Sequence, residues 1–379
     1  MAIDFALSGE QEQLRDSVRV WLHDLYSFEQ RRSAVQSPSS FRSAVWSAFA
    51  NDLGILGMTF PERVGGSGLD AVATMVVMEE FGRALVLEPY LETVVICGGL
   101  LARAGGGRAD ETLERVGAGH EVLALAALEA TSRYDITNVA TTARRDSSGW
   151  RLDGTKAVVA AAPWASQLLV VARTAGSRGE REGLSLFLVS SSAPGVSMRS
   201  YPTIDARRAA DVTLERVRVP TDSLIGEEGE AADAIEYSTD EAISAVSAEA
   251  VGLMSKLHED TLEYAKQRRQ FGQPIGRFQV LQHRLVDMYM EIELARSATY
   301  LATLRLAASA KERACAASAA KVTINKACRL VGQSAVQIHG GMGMTDELKV
   351  SHTFRRLTMI AQQFGDAEHH LERFARLSP

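Results

Sequence analysis

The chain has 379 residues, a formal net charge of -6 at pH 7, 46% hydrophobic residues and 23% charged residues. This length suffices for a large core and for more than one domain, and the composition is that of an ordinary globular protein. The negative net charge excludes a general nucleic-acid-binding protein, because such proteins need a basic face.

The cysteines and the N-terminus bear on the cellular compartment. Cys97, Cys315 and Cys328 have no metal-ligand spacing and lie in helical sequence, so we interpret them as small buried residues in a reducing compartment. The segment 1–5 lacks the basic and then apolar design of a signal peptide, and no apolar run approaches membrane-spanning length. We expect a cytoplasmic protein with neither a membrane partner nor a metal.

Residues 1–120 have a helical pattern. Ser8-Gly-Glu-Gln11 before regularly spaced apolar residues is typical of a capped helix start, and segments 41–53 and 71–84 continue the helical pattern. Between them, the glycine-rich segment 61–68 is interpreted as a turn between helices.

The pattern changes between residues 121 and 227. Short apolar or alternating runs separated by turn residues predict a small β-barrel or sandwich. We expect a break between two strands at Asp153-Gly154 and a last strand at 212–219. The apolar runs lie at 122–126, 150–152, 157–162, 168–172, 184–189 and 212–219.

Residues 228–379 are again helical, with one informative interruption. Phe271-Gly-Gln-Pro274 breaks a helix that ends near Gln267, and a second helix with a single apolar stripe follows, as in an antiparallel bundle. The break gathers guanidinium, aromatic and amide groups, which suit a pyrophosphate beside a flat base. These groups belong to Arg268, Arg269, Phe271, Gln273 and Gln279.

This corner resembles the signature of the acyl-CoA dehydrogenase family: arginine-x-x-Phe-Gly, then Pro-Ile, Phe-Gln and Gln-His. A second signature, Gln337-Ile-His-Gly-Gly-Met-Gly343, follows at the expected distance. The resemblance implies an α+β multidomain fold, with an N-terminal helical domain (1–120), a middle β-barrel domain (121–227) and a C-terminal four-helix bundle (228–379).

The resemblance also implies an activity and its cofactor. Family members use FAD to oxidise an acyl-CoA thioester to the 2,3-enoyl thioester, with a glutamate as base and electron-transfer flavoprotein or a similar acceptor. Residues matching the family's contacts to the adenine and pyrophosphate end of FAD on a neighbouring subunit are Arg268, Phe271, Gln279, Gln337, Gly340, Gly341 and Gly343.

The family's base is missing from both of its usual positions. The position after the second signature holds Phe364, and the alternative position on the helix before Arg268 holds Ala242. Asp366 lies two residues from Phe364, and we expect its side chain to point elsewhere. Glu241 lies beside Ala242 and is the catalytic candidate if the helix start is displaced by one residue. Its other interpretation is a water-facing residue in the first turns of a helix.

The positions that lie against the flavin ring and the substrate in the family also differ here. Leu128-Glu129 replaces the family's Thr-Glu, 158–161 replaces Trp-Ile-Thr-Asn, and 133–135 replaces Gly-Ser-Asp. With these changes and the missing base, the chain most resembles the small subunits of heteromeric bacterial acyl-CoA dehydrogenases. Those enzymes act on pimeloyl-CoA or steroid side-chain CoA esters. The resemblance implies a partner subunit that supplies the glutamate, in a dimer of dimers.

Two alternatives stay open at this point. The first alternative to the heteromeric subunit is a self-sufficient homotetrameric dehydrogenase that uses Glu241 or Asp366. The second is a scaffold subunit that stabilises a partner without binding flavin. Retention of Arg268, Gln279 and Gln337 argues against the scaffold, and the absence of both usual bases argues against self-sufficiency.

Overall fold

The computed structural model describes residues 6–37, 40–147 and 149–378. Segment 1–5, on which the expectation about a signal peptide depends, lies outside the described residues. The elements follow the expected order of helices, strands and helices, so the predicted fold class is confirmed. Among the described residues no helix combines the length and the apolar character needed to cross a membrane.

Helices form the N-terminal part of the chain. The predicted start at Ser8 is confirmed: the Ser8 hydroxyl accepts the Gln11 N–H, and the Gln11 side chain accepts the Ser8 N–H. The elements are α1 (Gly9–Leu25), α2 (Phe28–Gln36), α3 (Ser43–Asn51), α4 (Ala71–Ala84), a π-helix (Leu91–Gly98), α5 (Gly99–Ala104) and α6 (Gly107–Gly117).

The middle part forms one eight-stranded sheet in the order β6-β7-β3-β2-β4-β5-β8, with β1 paired to β4. The β1–β4 and β2–β4 pairs are parallel and the other pairs are antiparallel. The strands are β1 (Leu123–Ala126), β2 (Thr142–Asp146), β3 (Gly149–Ala160), β4 (Gln167–Arg173), β5 (Leu184–Ser190), β6 (Val196–Pro202), β7 (Arg208–Val219) and β8 (Leu224–Ile225).

Two expectations about these strands are wrong. No break occurs at Asp153-Gly154, because β3 continues through it with a shift in register to β7. A Cβ on Gly154 would lie 2.7 Å from the Cα of Thr141, so this glycine permits a close backbone approach and does not form a turn. The expected last strand is part of β7, and the short β8 follows it.

Helices resume after the sheet. α7 (Ala231–Gln267) leads into a small hairpin of β9 (Arg269–Gln270) and β10 (Gln273–Pro274), and α8 (Gln279–Leu304) follows. The predicted apolar stripe of α8 is buried at Leu285, Met288, Ile292 and Ala295, while Leu281, predicted to be buried in the same stripe, is half-buried. The chain ends with α9 (Ala310–His339), α10 (Lys349–Gln362) and α11 (Ala367–Leu377).

The chain divides into two compact units by packing. The first contains 1–32, 71–86 and 243–379, and the second contains 33–70 and 87–242. In the first unit, α4 and α7 cross at two glycines: a Cβ on Gly82 would lie 2.1 Å from the Glu249 carbonyl oxygen, and one on Gly252 would lie 1.8 Å from the Glu79 carbonyl oxygen. The boundaries at residues 120 and 227 stay predictions.

Candidate functional site

The hairpin between α7 and α8 has an unusual tip. Phe271 and Gly272 form a two-residue loop in which both φ angles are positive, +51° and +79°. A positive φ disfavours any residue with a Cβ, by about 1–2 kcal/mol, and the Phe271 side chain is 91% exposed. A two-residue hairpin loop requires positive φ at both positions, and the Phe271 ring meets Phe278 edge-on with centroids 6.1 Å apart. The rest of this ring is exposed and available to a ligand.

Arg268 lies beside this tip with an exposed guanidinium. No side-chain hydrogen bond or ion pair connects it to any residue that the structure describes, whereas its neighbour Arg269 donates to the Gly272 carbonyl at 3.3 Å. Gln279, also exposed, is the first residue of α8. A guanidinium and an amide are therefore available here for an anionic ligand.

The second signature lies next to the end of α7. The rings of Tyr264 on α7 and His339 on α9 stack with centroids 4.3 Å apart and planes 23° apart. His339 donates through Nδ1 to the Ala335 carbonyl at 2.9 Å, and burial lowers the pKa of this histidine, so the ring is neutral near pH 7. This stack brings the C-terminal end of α9 to the C-terminal end of α7.

The signature glycines leave bare backbone at this end of α9. A Cβ built on Gly340 or Gly341 would have no atom within 4 Å, and both residues are exposed, as is Gln337. Gly343 is different: it is buried, and its Cβ would lie 3.0 Å from the Val336 carbonyl oxygen, which explains this glycine by packing. Open backbone, a guanidinium without a side-chain partner in the described part of the chain and an exposed aromatic ring fit the pyrophosphate and base of a dinucleotide.

The turn between α10 and α11 carries Phe364 at one of the two usual base positions. Phe364 has a φ of +61°, and its carbonyl accepts a hydrogen bond from His370 Nε2 at 3.0 Å. Asp366 caps α11 by accepting the His369 N–H at 2.9 Å. The acid nearest to Phe364 in sequence is thus engaged in holding a helix end.

A buried lysine holds the same turn. Lys321 on α9 has no exposed surface, and its ammonium donates to Asn325 Oδ1 at 2.8 Å, to the Ile360 carbonyl at 2.7 Å and to the Gly365 carbonyl at 3.0 Å. Burial lowers the pKa of Lys321 to about 7. Our reading of the sequence missed this residue, although a lysine on an apolar, alanine-rich helix face is the pattern that marks it.

The alternative base position is apolar, and its neighbour is engaged. Ala242 is fully buried. Glu241 forms an ion pair with Arg103, whose guanidinium lies over the Tyr237 ring at 3.9 Å from the centroid. A Cβ on Gly99 would approach Glu241 Oε2 to 3.0 Å. The structure therefore places Glu241 in a packed cation–π and ion-pair cluster, not in the water-facing position that its alternative interpretation assumed.

Glu129 is held by a hydrogen-bond network near the start of the sheet. Its carboxylate accepts the Thr141 N–H at 2.8 Å, the Thr141 hydroxyl at 2.7 Å, the Ala140 N–H at 2.9 Å and the Lys156 ammonium at 3.0 Å. Burial opposes ionisation, but the Lys156 charge and these hydrogen bonds outweigh it and lower the pKa of Glu129. Burial lowers the pKa of Lys156 to about 8. This network orders the segment that follows Leu128.

The neighbouring segments have strained backbone at the substituted positions. Val158 has a φ of +53° and a side chain that is 60% exposed, and its N–H donates to Asp211 Oδ1 at 3.2 Å. Arg133 and Ala161 also have positive φ angles, +49° and +61°. A β-branched residue in this region is an outlier, so the surrounding structure holds Val158 in a conformation that its side chain disfavours.

The described residues contain no set of side chains suited to bind a metal ion. Across residues 6–37, 40–147 and 149–378, no group of three or more His, Cys, Asp or Glu side chains is arranged to hold a metal ion. Cys97 and Cys328 are buried free thiols, and Cys315 is a half-buried one.

Comparison with known proteins gives matches along most of the chain. The model of the acyl-CoA dehydrogenase N-terminal domain matches residues 8–107, that of the middle domain matches 124–217, and that of the C-terminal domain matches 235–378. Acyl-CoA dehydrogenase fadE12 of Mycobacterium tuberculosis is 31% identical, over 94% of this chain and 93% of the relative.

Solved structures agree with the sequence matches. A variant of the Tcur3481-Tcur3483 steroid ACAD is 31% identical with a TM-score of 0.86, covering 97% of each chain. The ChsE4-ChsE5 complex of Mycobacterium tuberculosis is 26% identical with a TM-score of 0.88, covering 99% of this chain and 98% of that one. With all three domains matched in order, the chain belongs to the acyl-CoA dehydrogenase family.

Proposed function

We propose that this chain is the subunit without a catalytic base in a heteromeric, FAD-dependent acyl-CoA dehydrogenase. In this assignment a second, unlike subunit supplies the glutamate, and the complex introduces the 2,3 double bond into an acyl-CoA thioester. FAD, when bound, accepts the β-hydrogen of the thioester as hydride. Electron-transfer flavoprotein or a similar acceptor then reoxidises the enzyme.

The observation that carries this proposal is the loss of an available carboxylate at both base positions. Removal of the α-proton needs a positioned acceptor, which is worth about 10²- to 10⁴-fold in rate. Phe364 and Ala242 have no accepting group. The two nearest acids serve the fold, since Glu241 is paired with Arg103 and Asp366 caps α11.

The corner at the end of α7 supports a role in holding FAD. Arg268 is available for the pyrophosphate and the Phe271 ring for a stacked base, while Gly340 and Gly341 offer open backbone. Gln279 and Gln337 add exposed amides. Retention of this set favours a flavin subunit over a scaffold that never contacts the cofactor.

The related structures support an assembly of two unlike subunits. Both are named as pairs, Tcur3481-Tcur3483 and ChsE4-ChsE5, and the first is described as a steroid ACAD. For this chain we infer a partner encoded beside it and a CoA ester as substrate. Straight-chain, dicarboxylic and steroid side-chain CoA esters form the panel that identifies the acyl group.

The test compares the chain alone with the chain co-expressed with its genomic neighbour. Each preparation is assayed with the ester panel and an artificial electron acceptor, and its flavin content is read by absorbance. We expect the heteromer to turn over at least about 100-fold faster than the chain alone, in line with the contribution of a base. Comparable turnover by the chain alone would overturn the proposal.

The variant Glu241→Gln distinguishes the proposed heteromer from a self-sufficient dehydrogenase. In the proposed heteromer it leaves kcat unchanged, because the partner carries the base. If the chain alone is active and loses that activity in Glu241→Gln, the chain is a self-sufficient dehydrogenase with Glu241 as its base.

A further inference from the structure

The π-helix Leu91–Gly98 contains a buried carboxylate, and one of its oxygens has no hydrogen-bond partner among the described residues. All eight residues of this helix are buried, including Glu92, which is 7% exposed. π-Helices occur mostly as single turns and are frequent at functional sites. An ionisable side chain inside one therefore calls for an account of what satisfies it.

Within the described residues, no N–H or O–H group donates a hydrogen bond to Glu92 Oε2. Its Oε2 atom is buried without a hydrogen-bond partner among the described residues, and its Oε1 atom lies 3.9 Å from Arg207 Nη1, beyond hydrogen-bond distance. Burial and then the charge of Glu92 raise the pKa of the nearby Cys97 thiol, so this thiol stays protonated and adds no charge.

Two other buried carboxylates of the same compact unit, those of Glu88 and Glu121, have hydrogen-bond donors. Glu88 accepts two hydrogen bonds from Arg42, at 2.8 and 3.1 Å. Glu121 accepts one from Arg115 at 2.8 Å and one from Gln167 at 3.2 Å. Since a buried acceptor without a donor destabilises the fold, the open oxygen of Glu92 is a place where a donor group on a ligand would add stability.

The π-helix runs past the cluster beside Ala242. Ser238 on α7 donates to the Ile96 carbonyl at 3.2 Å, and a Cβ on Gly99, just after the π-helix, would lie 3.0 Å from Glu241 Oε2. Glu92 and Gly99 are seven positions apart, which corresponds to about 10 Å along a helix axis. The π-helix thus connects Glu92 with the surroundings of the alternative base position, over a span comparable to that of a medium-length acyl chain.

We propose that Glu92 is a specificity residue that accepts a hydrogen bond from a hydroxyl group on the acyl part of the substrate. The inference rests on the proposed function and extends it to the substrate class. A neutral donor suits the site better than a cation, because Arg207 already supplies positive charge next to the carboxylate. An ester without the hydroxyl leaves the buried oxygen unpaired, and such sites discriminate strongly against the analogue that lacks the donor.

The experiment measures binding of octanoyl-CoA and of octanoyl-CoA esters with one hydroxyl, at each carbon from C4 to C8, to the co-expressed heteromer by calorimetry. We expect at least one hydroxy ester to bind about tenfold or more tightly than octanoyl-CoA. Glu92→Leu abolishes that preference, and Glu92→Gln, which keeps a carbonyl acceptor, retains part of it. Glu121→Gln, which alters a buried carboxylate that has its donors, keeps the full preference.

Each outcome has one meaning. If wild type binds all esters equally, or if Glu92→Leu keeps the preference, the role of Glu92 is overturned while acyl-CoA binding stands. If no ester binds, the proposed function fails and this inference fails with it. A thermal melt adds a second readout: Glu92→Gln melts at or above the wild-type temperature if the carboxylate serves a ligand, and a clear loss of stability contradicts that role.

Discussion

The ammonium of Lys321 donates a hydrogen bond to the carbonyl of Gly365 at 3.0 Å, and so ties the centre of α9 to the turn that carries Phe364. His370 fastens the same turn from α11 by donating to the Phe364 carbonyl at 3.0 Å. Hydrogen bonds from two helices therefore hold the turn that carries the base in most family members, although Phe364 on this turn cannot accept a proton. The turn is thus held in place by hydrogen bonds, and the carboxylate is missing because residue 364 is a phenylalanine.

Replacing Lys321 by methionine should destabilise the chain by about 2–4 kcal/mol, because buried acceptors then lose their donor. The acceptors left without it are Asn325 Oδ1 and the carbonyls of Ile360 and Gly365. Urea unfolding followed by far-UV circular dichroism measures the change. Lys311→Met is the matched control: Lys311 is exposed on the same helix, so its loss should change stability by less than about 1 kcal/mol. Equal effects of the two variants would contradict the role of Lys321.

Acid should destabilise the fold through His370. Burial, assisted by the positive charges of Lys321, His369 and Arg373, lowers the pKa of His370 from 6.5 to about 3. Between these values the unfolded chain binds the proton that the folded chain excludes, so stability is full above pH 6.5 and falls as the pH falls. The slope from this group is at most about 1.4 kcal/mol per pH unit.

The variant His370→Gln isolates this contribution. Unfolding free energies of wild type and variant at pH 7, 6, 5 and 4 should converge as the pH falls, since only wild type loses the His370 contribution. The exposed His283 gives the control variant His283→Gln, which should follow the wild-type curve. Parallel curves for wild type and His370→Gln would show that another group carries the acid sensitivity.

The exposed face of α8 predicts where subunits meet. Val286, Met290, Leu294 and Leu301 follow one another at helical spacing and are solvent-exposed, opposite the buried stripe of the same helix. An apolar stripe of this length on a surface helix is typical of an oligomer interface, and we expect a closed dimer of dimers. Leu294→Glu should shift the species to smaller oligomers in sedimentation velocity at micromolar concentration.

An equally exposed leucine elsewhere provides the control for this test. Leu294 is 55% exposed and Leu371 on α11 is 56% exposed. Leu371→Glu therefore introduces the same charge at the same exposure, outside the α8 stripe. If both variants dissociate, or neither does, α8 is not the interface.

Sequence alone predicted the features that depend on local patterns. The capped start at Ser8, the helix break at Phe271-Gly272 and the buried stripe of α8 are each encoded within a few neighbouring residues. The fold class followed from the family signatures and from the change of pattern near residues 121 and 227.

Features that depend on contacts between residues far apart in the sequence were either missed or predicted wrongly. Gly154 has the chemistry of a turn residue, yet its neighbour Thr141 in space makes it part of a strand. Lys321 finds its acceptors 39 and 44 residues further along the chain, and no local spacing reports such a contact. The open Oε2 of Glu92 was likewise not predictable, because Arg207, which lies 3.9 Å from the other oxygen, belongs to the distant β6–β7 turn. The assignment of Arg268 and the signature glycines to FAD stays a prediction.

Arg268 should serve a flavin shared with the partner subunit. Its guanidinium is exposed and has no partner among the described residues, and a charge-assisted contact to a pyrophosphate is worth about 1.5–3 kcal/mol. Arg268→Ala should therefore weaken FAD retention in the heteromer by about one to two orders of magnitude. Arg269→Ala is the neighbouring control, since Arg269 is held by the Gly272 carbonyl. We expect one FAD per unlike pair after gel filtration in wild type and in Arg269→Ala, loss of flavin in Arg268→Ala, and identical far-UV circular dichroism in all three. Full flavin occupancy in Arg268→Ala, or one FAD in every chain of wild type, would refute a shared site at this corner.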